Sequence, residues 1–290
     1  MPIFSRHPPD GLNANPLDTN FNYDLQNSLE TSTTKKNVVY DGYQVDFTIV
    51  RPSNNSENLP VFVFIYSESG LAVNPEGHQR MLCNLVEISG VSAVFVHDDP
   101  EARQNPELYV FKVFAAVNWI AENGEQIQVD SNKIALVGSG CGSNIATIVS
   151  LMAACDQYPK ISLQILMNPV FNVGKPPTWA KAGSGLPDRN NSGPGSGEWY
   201  DVSEIMRLPI QADKKQLSGL PKTIIHRVED HIFQNEIDYF SCKLKDAGVQ
   251  IGLHQFEERM QDIGLNDPTI DHYSQPAFLQ VAQALRAHFA

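Results

Sequence analysis

The sequence predicts an α/β domain, in which a mostly parallel sheet carries helices on both faces. Short apolar runs such as Pro60–Tyr66 (PVFVFIY) have the composition of buried central strands. They alternate with longer segments of helical periodicity such as Pro106–Asn123. Strands separated by helices of this length require parallel crossover connections within one sheet. The 290 residues, 42% of them hydrophobic, are enough for one large domain with a substantial core.

The elements follow one another from residue 37 onward, and we expect 37–290 to form this domain. Residues 1–36 are polar, with one short helical stretch at Tyr23–Leu29, and are expected to form an N-terminal arm or partial cap. The predicted strands are Val38–Tyr40 and Gln44–Arg51, paired around Asp41-Gly42, then Pro60–Tyr66, Val91–Val96, Lys133–Val137, Ile161–Met167, Thr223–Arg227 and Val249–Phe256. The predicted helices are His78–Ser89, Pro106–Asn123, about 143–154, His231–Ala247 and Gln275–Phe289, with Gly90, Gly124 and Gly248 ending three of them.

One segment, 172–200, breaks the alternation of strands and helices. Asn172–Trp199 is rich in Gly, Pro and Ser and shows no periodicity, which predicts a flexible loop. Because it follows the carboxyl end of a predicted strand, it is placed to act as a lid over a site at that edge. A surface insertion without such a role is the alternative.

Composition and charge exclude several classes of function. The net charge of −12 disfavours nucleic acids and anionic membrane surfaces as partners. No apolar run approaches the roughly 18 residues of a membrane span, and the start, MPIFSRHPPDGLNANP, lacks the apolar core of a signal peptide. We therefore expect a cytoplasmic protein whose partner is a small molecule, with a homodimer left possible. A disulfide scaffold or zinc module is disfavoured because no CxxC pair occurs among Cys83, Cys141, Cys155 and Cys242.

A glycine-rich turn joins the predicted strand Lys133–Val137 to the helix that follows, in the segment KIALVGSGCGSNIA. A dinucleotide-binding turn, GxGxxG, does not fit, because the third glycine comes too early and no acidic residue ends the next strand. We therefore expect no cofactor. A nucleophile elbow, G-x-S-x-G, fits the frame of Gly138, Gly140 and Gly142, with glycine at the centre where the nucleophile would stand.

This segment resembles the elbow of α/β-hydrolases of the hormone-sensitive-lipase and carboxylesterase kind, with Gly140 in place of the serine. The resemblance extends from about Leu59 to the end of the chain. PVFVFIYSESG is similar to the strand that leads into the family's HGGG oxyanion loop, and AGVQIGLHQFEERMQDIG to its last strand and histidine loop. It implies an α/β-hydrolase fold with a mostly parallel sheet of about eight strands, helices on both faces and a reduced, flexible cap.

The resemblance also implies that the hydrolytic machinery is degenerate. Asp230 stands at the position of the catalytic acid, with Glu229 as a neighbouring competitor, and Gln261 stands at that of the catalytic histidine. Serine hydrolysis needs a nucleophile and a base that activates it. Gly140 has no side chain to attack with, and Gln261 cannot take up a proton at neutral pH. An ordinary serine hydrolase is therefore disfavoured.

The oxyanion loop departs from the family pattern as well. Tyr66 takes the place of the family's histidine, and Ser67, Glu68 and Ser69 take those of the glycines. A carboxylate at Glu68 opposes the negative charge that develops during hydrolysis. Together with Asp230, it would form an acid pair capable of general acid–base chemistry. A solvent-facing Glu68 on a remodelled loop is the alternative.

Other polar residues offer alternatives. Cys141 lies at the start of the predicted helix, where a helix N-terminus lowers the pKa of a thiol and favours an attacking thiolate; a buried structural cysteine is the other interpretation. His97-Asp98-Asp99 follows a buried strand and could hold a metal ion, although adjacent residues seldom share one centre. His226 and His231 flank the predicted acid, and either could orient Asp230 or serve as a base; a surface or cap role is the alternative.

Four functions remain open on the sequence. The first is a non-hydrolytic enzyme that carries out a cyclisation, isomerisation or dehydration on a small apolar molecule, as in secondary-metabolite biosynthesis. The others are a non-catalytic binding protein, a regulatory pseudoenzyme and an esterase that uses Cys141. The candidate acid and base are Glu68 and Asp230, and no metal ligands are assigned. The candidate ligand contacts are Tyr66, Ser67, Ser69, Gly140, Cys141 and Gln261.

Overall fold

A computed structural model describes residues 30–67, 75–98, 101, 105–171, 209–228, 234–256 and 276–290. The predicted 172–200 insertion and the helical stretch at Tyr23–Leu29 lie outside these residues. The last part of the expected N-terminal arm belongs to the sheet, because the first strand begins at Thr31 rather than at Val38. Among the described strands it has one neighbour, β2, and most of its side chains are exposed. Such an edge strand is polar and lacks the apolar pattern by which buried strands are found.

Eight strands form one sheet in the order β1-β2-β4-β3-β5-β6-β7-β8. β1 and β2 are antiparallel to each other, β2 is antiparallel to β4, and all other neighbours are parallel. The strands are β1 (Thr31–Tyr40), β2 (Tyr43–Pro52), β3 (Leu59–Ser67), β4 (Ser92–Val96), β5 (Val129–Gly140), β6 (Ile161–Met167), β7 (Lys222–Val228) and β8 (Ile251–Phe256). The predicted mostly parallel sheet is confirmed.

The described helices are α1 (Pro75–Ser89), α2 (Pro106–Asn123), α3 (Cys141–Asp156), α4 (Lys214–Leu217), α5 (Gln234–Asp246) and α6 (Pro276–Phe289). All five predicted helices are present. α4 is a single turn that the sequence analysis did not predict. It is held by a capping box, in which Asp213 and Gln216 exchange side-chain and backbone hydrogen bonds.

The core consists of two apolar layers, one on each face of the sheet. Along β3 the side chains alternate between the layers, as the two-residue period of a strand requires. Val61, Val63 and Ile65 join the layer that also holds α2, α3 and α5, whereas Phe62 and Phe64 join the layer with α1 and α6. The prediction of helices on both faces is therefore confirmed. Among the described residues, no helix is both long and apolar enough to cross a membrane.

The connections bring the carboxyl ends of the parallel strands to one edge of the sheet. There Tyr66 pairs in register with Ser139, and Ser67 pairs with Gly140. The glycine turn after β5 thus lies directly beside the end of β3. In sheets of this kind, ligands bind in the crevice at the carboxyl edge.

Candidate active site

The centre of the site is the turn from β5 into α3. Gly140 ends the strand with φ 56° and ψ −119°, and α3 begins at Cys141. A residue with a side chain would be strained in this conformation, whereas glycine adopts it freely. Among the described residues outside the turn itself, no atom lies within 4 Å of a Cβ atom added at Gly140. The chain therefore makes the sharp strand-to-helix turn of a nucleophile elbow, but has no side chain where the nucleophile would be.

The two flanking glycines are required for a different reason, which is close packing. A Cβ atom at Gly142 would lie 2.1 Å from the carbonyl oxygen of Ile65 in β3. A Cβ atom at Gly138 would lie 2.5 Å from the carbonyl oxygen of Gly142 and 2.6 Å from Cα of Ser143. Real Cβ atoms essentially never come within 3.0 Å of another atom. These glycines let the start of α3 approach β3 and β5, as the elbow frame predicts.

Hydrogen bonds fasten the turn to the neighbouring strand. The buried Ser143 hydroxyl donates to the carbonyl oxygen of Gly138 at 2.8 Å and lies 3.2 Å from that of Met167 at the end of β6. The amide of Val170 donates to the carbonyl oxygen of Gly140 at 3.3 Å. Ser143 is thus a structural residue and does not replace the missing serine.

Cys141 is the nearest thiol to the centre of the elbow, and its environment does not favour a thiolate. Burial raises the pKa of this thiol, and a backbone hydrogen bond opposes that effect only in part. The expectation that the helix N-terminus lowers the pKa is therefore wrong. The cause is desolvation, which penalises the charged form.

Tyr66 lies at the end of β3, beside the elbow. Its ring packs edge-on against His78 with centroids 4.4 Å apart. Its carbonyl oxygen lies 3.3 Å from the hydroxyl of Tyr109, which donates to the carbonyl oxygen of Val96 at 2.9 Å. Burial raises the pKa of Tyr109, so this hydroxyl keeps its proton. Tyr109 therefore joins the ends of β3 and β4.

The structure brings four of the predicted residues together, namely Tyr66, the backbone of Ser67, Gly140 and Cys141. The other predicted site residues lie outside the described residues, and their assignment remains a prediction. The described parts of β7 and β8 end at Val228 and Phe256, at the same edge of the sheet as the elbow. The residues concerned are Glu68, Ser69, Asp230 and Gln261.

His226 points into the sheet face covered by α6, where Phe256 lies against its ring. Its Nε2 is hydrogen-bonded to the side-chain oxygen of Gln280, whose Nε2 lies 3.2 Å from Nε2 of His254. Burial, with a smaller contribution from His254, lowers the pKa of His226 to about 3. The lowered pKa does not suit a base near neutral pH, and the expected surface or cap role is wrong, because His226 is fully buried within β7.

His97 also has a structural partner. Its Nε2 lies 2.7 Å from the hydroxyl of Thr48 in β2, and its amide donates to the carbonyl oxygen of Asp46. The pKa of His97 is lowered, mainly because burial disfavours the charged form of the ring. In the described part of the chain, no group of three or more His, Cys, Asp or Glu residues could hold a metal ion.

The sequence analysis missed one charged cluster at the end of β7. Arg227 is buried and forms an ion pair with Asp238 of α5, and its guanidinium also donates to Gln255 of β8 at 2.6 Å. Arg227 thus connects β7, α5 and β8 at a position just before Asp230, the predicted acid. The sequence does carry a signal for this cluster, which is the arginine at the end of the apolar run TIIHR. A buried arginine needs partners for its charge.

Known proteins with the same architecture include several esterases. The chain is 24% identical over 254 residues to carboxylesterase NlhH of Mycobacterium tuberculosis, covering 84% of this chain and 75% of that protein. It is 22% identical over 231 residues to the putative alpha/beta hydrolase R526 of Acanthamoeba polyphaga mimivirus, covering 77% of this chain and 66%, just under two thirds, of the viral protein. A thermostable esterase from Pseudomonas putida ECU1011 matches with a TM-score of 0.73 at 26% identity, covering 90% of this chain and 84% of that one.

A family model described as an alpha/beta hydrolase fold matches residues 71–263, which is most of the chain. The match includes β4 to β8 and the elbow turn at Gly140. The strand order and the turn at the end of β5 lead to the same assignment independently. The chain therefore belongs to the α/β-hydrolase fold family, and its resemblance to hormone-sensitive-lipase-like carboxylesterases is confirmed.

Proposed function

We propose that this protein binds a small, largely apolar molecule at the carboxyl edge of its sheet and converts it without a serine nucleophile. The observation that supports this most directly is the geometry of Gly140, which keeps the elbow backbone but has no side chain to attack with. Without a nucleophile, no acyl intermediate can form by the family mechanism. Positioning of a folded substrate and proton transfer remain available.

The proposed reaction is a cyclisation, isomerisation or dehydration in which Glu68 and Asp230 handle protons. In an isomerisation, one carboxylate takes a proton from a carbon of the substrate, and the other carboxylic acid returns a proton to a different carbon. In a dehydration, the acid protonates a departing hydroxyl group, which leaves as water, and the carboxylate takes the proton that balances the charge. Tyr66, Ser67, Ser69, Cys141 and Gln261 are proposed as further contacts to the ligand.

Ester hydrolysis is the second candidate, because relatives of the chain are named carboxylesterases and a thiol lies beside the elbow centre. Cys141 would then attack the ester carbonyl. Its raised pKa and its place one residue past the centre count against this role. A protein that binds the ligand without converting it is the remaining alternative.

One experiment separates these functions. The small-molecule extract of the source organism is incubated with catalytic amounts of the protein, and all masses are followed by liquid chromatography and mass spectrometry. We expect a compound to be converted, in excess over the protein, to a product of equal mass or of a mass lower by one water. A product heavier by one water would overturn the proposal in favour of hydrolysis. Depletion that stops at the protein concentration would overturn it in favour of binding.

Variants then assign the residues. Glu68→Gln and Asp230→Asn are each expected to slow conversion by about a hundredfold or more, the usual contribution of general acid–base catalysis. Asp246→Asn, at an exposed acid in the last turn of α5, is the matched control and should leave the rate unchanged. If both site variants retain the rate of the control, the acid pair is not part of the machinery.

A further inference from the structure

Two histidines lie side by side on neighbouring strands beneath α6. His226 of β7 and His254 of β8 pair in register, and their ring centroids are 5.7 Å apart. Each stands two residues before the end of its strand, at the edge of the sheet that carries the elbow. The side chain of Gln280 in α6 is hydrogen-bonded to both rings. The three side chains therefore form one polar cluster between the sheet and α6.

The amide of Gln280 determines which nitrogen of each ring carries the proton. Its Oε1 can only accept, so Nε2 of His226 must donate to it. Its Nε2 can only donate and lies 3.2 Å from Nε2 of His254, so that ring nitrogen must accept. The proton of neutral His226 thus stands on Nε2, and that of neutral His254 stands on Nδ1. The two neutral rings are opposite tautomers.

His254 is the ring that takes up a proton first as the pH falls. It is half-buried, whereas His226 is fully buried. Burial lowers the pKa of both rings, and the neighbouring His254 lowers that of His226 further, to about 3. A proton on Nε2 of His254 would face the NH₂ group of Gln280. Two donors would then oppose each other within the cluster.

The charged groups on the surrounding elements do not relieve this conflict. β6 carries no titratable side chain, and His254 is the one charge that shifts the pKa of His226 among the described residues. Arg227 faces α5 on the other side of the sheet, where it pairs with Asp238. The remaining titratable groups lie at the ends of their elements and are Lys222 at the start of β7, and Arg286 and His288 in the last turn of α6. The amide of Gln280 is therefore the group that must respond to a charge on His254.

We infer that these three side chains form a proton-coupled switch, in which uptake of one proton by His254 reverses the amide of Gln280 and moves the proton of His226 from Nε2 to Nδ1. After reversal, Oε1 accepts from the charged His254 ring, and the NH₂ group donates to Nε2 of His226. His226 stays neutral, because it exchanges its Nε2 proton for one on Nδ1. Its Nδ1 is buried without a hydrogen-bond partner, so it is unpaired as an acceptor before the reversal and as a donor after it.

The charge-assisted bond to His254 favours the reversed arrangement once the ring is protonated. Both arrangements keep α6 bonded to β7 and β8, so the helix remains attached while His254 changes its charge. The switch lies below the strand ends that lead towards Asp230 and Gln261. It does not depend on the reaction proposed at the elbow.

Nuclear magnetic resonance of the full chain, labelled with nitrogen-15 in histidine, tests the switch, because protonated and unprotonated ring nitrogens resonate in separate ranges. His226→Gln and His254→Gln assign the signals. At pH 8 we expect the proton of His226 on Nε2 and that of His254 on Nδ1. As the pH falls, His226 should change to the Nδ1 tautomer at the same midpoint at which His254 becomes charged.

Gln280→Met removes the amide, and Gln283→Met makes the same change at a half-buried position of α6 as the matched control. In Gln280→Met the tautomer of His226 should no longer follow His254. The midpoint of His254 should fall by about 0.5–1 pH units, because the charged ring loses its acceptor. Gln283→Met should titrate as the wild type does.

A wild-type His226 that keeps its proton on Nε2 while His254 becomes charged would overturn the switch. This titration decides the question even if Gln280→Met fails to fold. A change of tautomer at His226 that still follows His254 in Gln280→Met would also overturn it, since the amide would then not connect the two rings.

Discussion

The glycines of the elbow differ in what they tolerate, and a pair of alanine variants tests this directly. In Gly142→Ala the new Cβ atom would lie 2.1 Å from the Ile65 carbonyl oxygen, where real Cβ atoms stay beyond 3.0 Å, so α3 and β3 must move apart by about 0.9 Å. The Ile65 carbonyl belongs to the backbone of a core strand and cannot rotate away, so we expect a cost of about 3 kcal/mol, the upper end of the usual range for overpacking. In Gly140→Ala the new Cβ atom would have no neighbour within 4 Å in the described part of the chain outside the turn. Its cost is the strain of the positive φ, about 1–3 kcal/mol.

Urea unfolding followed by circular dichroism measures both variants against the wild type. We expect the unfolding midpoint to fall in both, and to fall much further for Gly142→Ala, which loses a large part of the 5–15 kcal/mol of an ordinary domain. Gly90→Ala is the matched control for backbone strain alone, since Gly90 also has a positive φ and open space. A Gly142→Ala variant as stable as Gly140→Ala would refute the close approach of α3 to β3.

Three further predictions concern residues around the site. The lowered pKa of His226 keeps it neutral in the folded state, so the unfolded state gains protons first as pH falls below 6.5. When the pH is lowered from 7.5 to 5, the free energy of unfolding of the wild type should fall by about 2 kcal/mol more than that of His226→Gln. Urea unfolding of both proteins at both pH values measures this difference. Tyr109→Phe removes the hydrogen bond to Val96 and should cost about 1–3 kcal/mol in the same assay. Iodoacetamide at pH 7.5 should alkylate the exposed Cys155 before Cys141, as read by peptide mass spectrometry; a faster Cys141 would revive the thiol nucleophile.

The fold was predictable because its signals are local. A buried strand such as Ile161–Met167 is a continuous apolar run, and the structure has it at the predicted bounds. The elbow is equally local, since three glycines at alternate positions mark one tight turn. β1 was predicted too short, because only its last residues carry an apolar pattern and pairing with β2 decides the rest.

The surroundings of the site were less predictable, because they depend on residues distant in the chain. Whether Cys141 is a thiolate depends on how deeply α3 packs, and not on its place at the helix N-terminus alone. The partners of Arg227 come from α5 and β8. Tyr40, Asn118 and Asp156 come from β1, α2 and α3 and line one surface groove, although no sequence pattern connects them. Tertiary packing makes each of these features.

The turn at Gly140 shows how the backbone of the elbow is kept without a side chain at its centre. A serine at the elbow centre is held in a strained conformation by its neighbours, at a cost of about 1–3 kcal/mol. Glycine relieves that strain, while Gly138, Gly142 and Ser143 hold the turn without help from the central side chain. We therefore expect a serine at position 140 to lower the stability of the turn. It follows that the double variant Gly140→Ser, Gln261→His should fold with slightly reduced stability. If Gln261 stands at the histidine position, this variant should also gain a trace of nitrophenyl acetate hydrolysis, which the single variant Gly140→Ser, as its control, should lack. Equal hydrolysis by the two variants would show that Gln261 does not occupy that position.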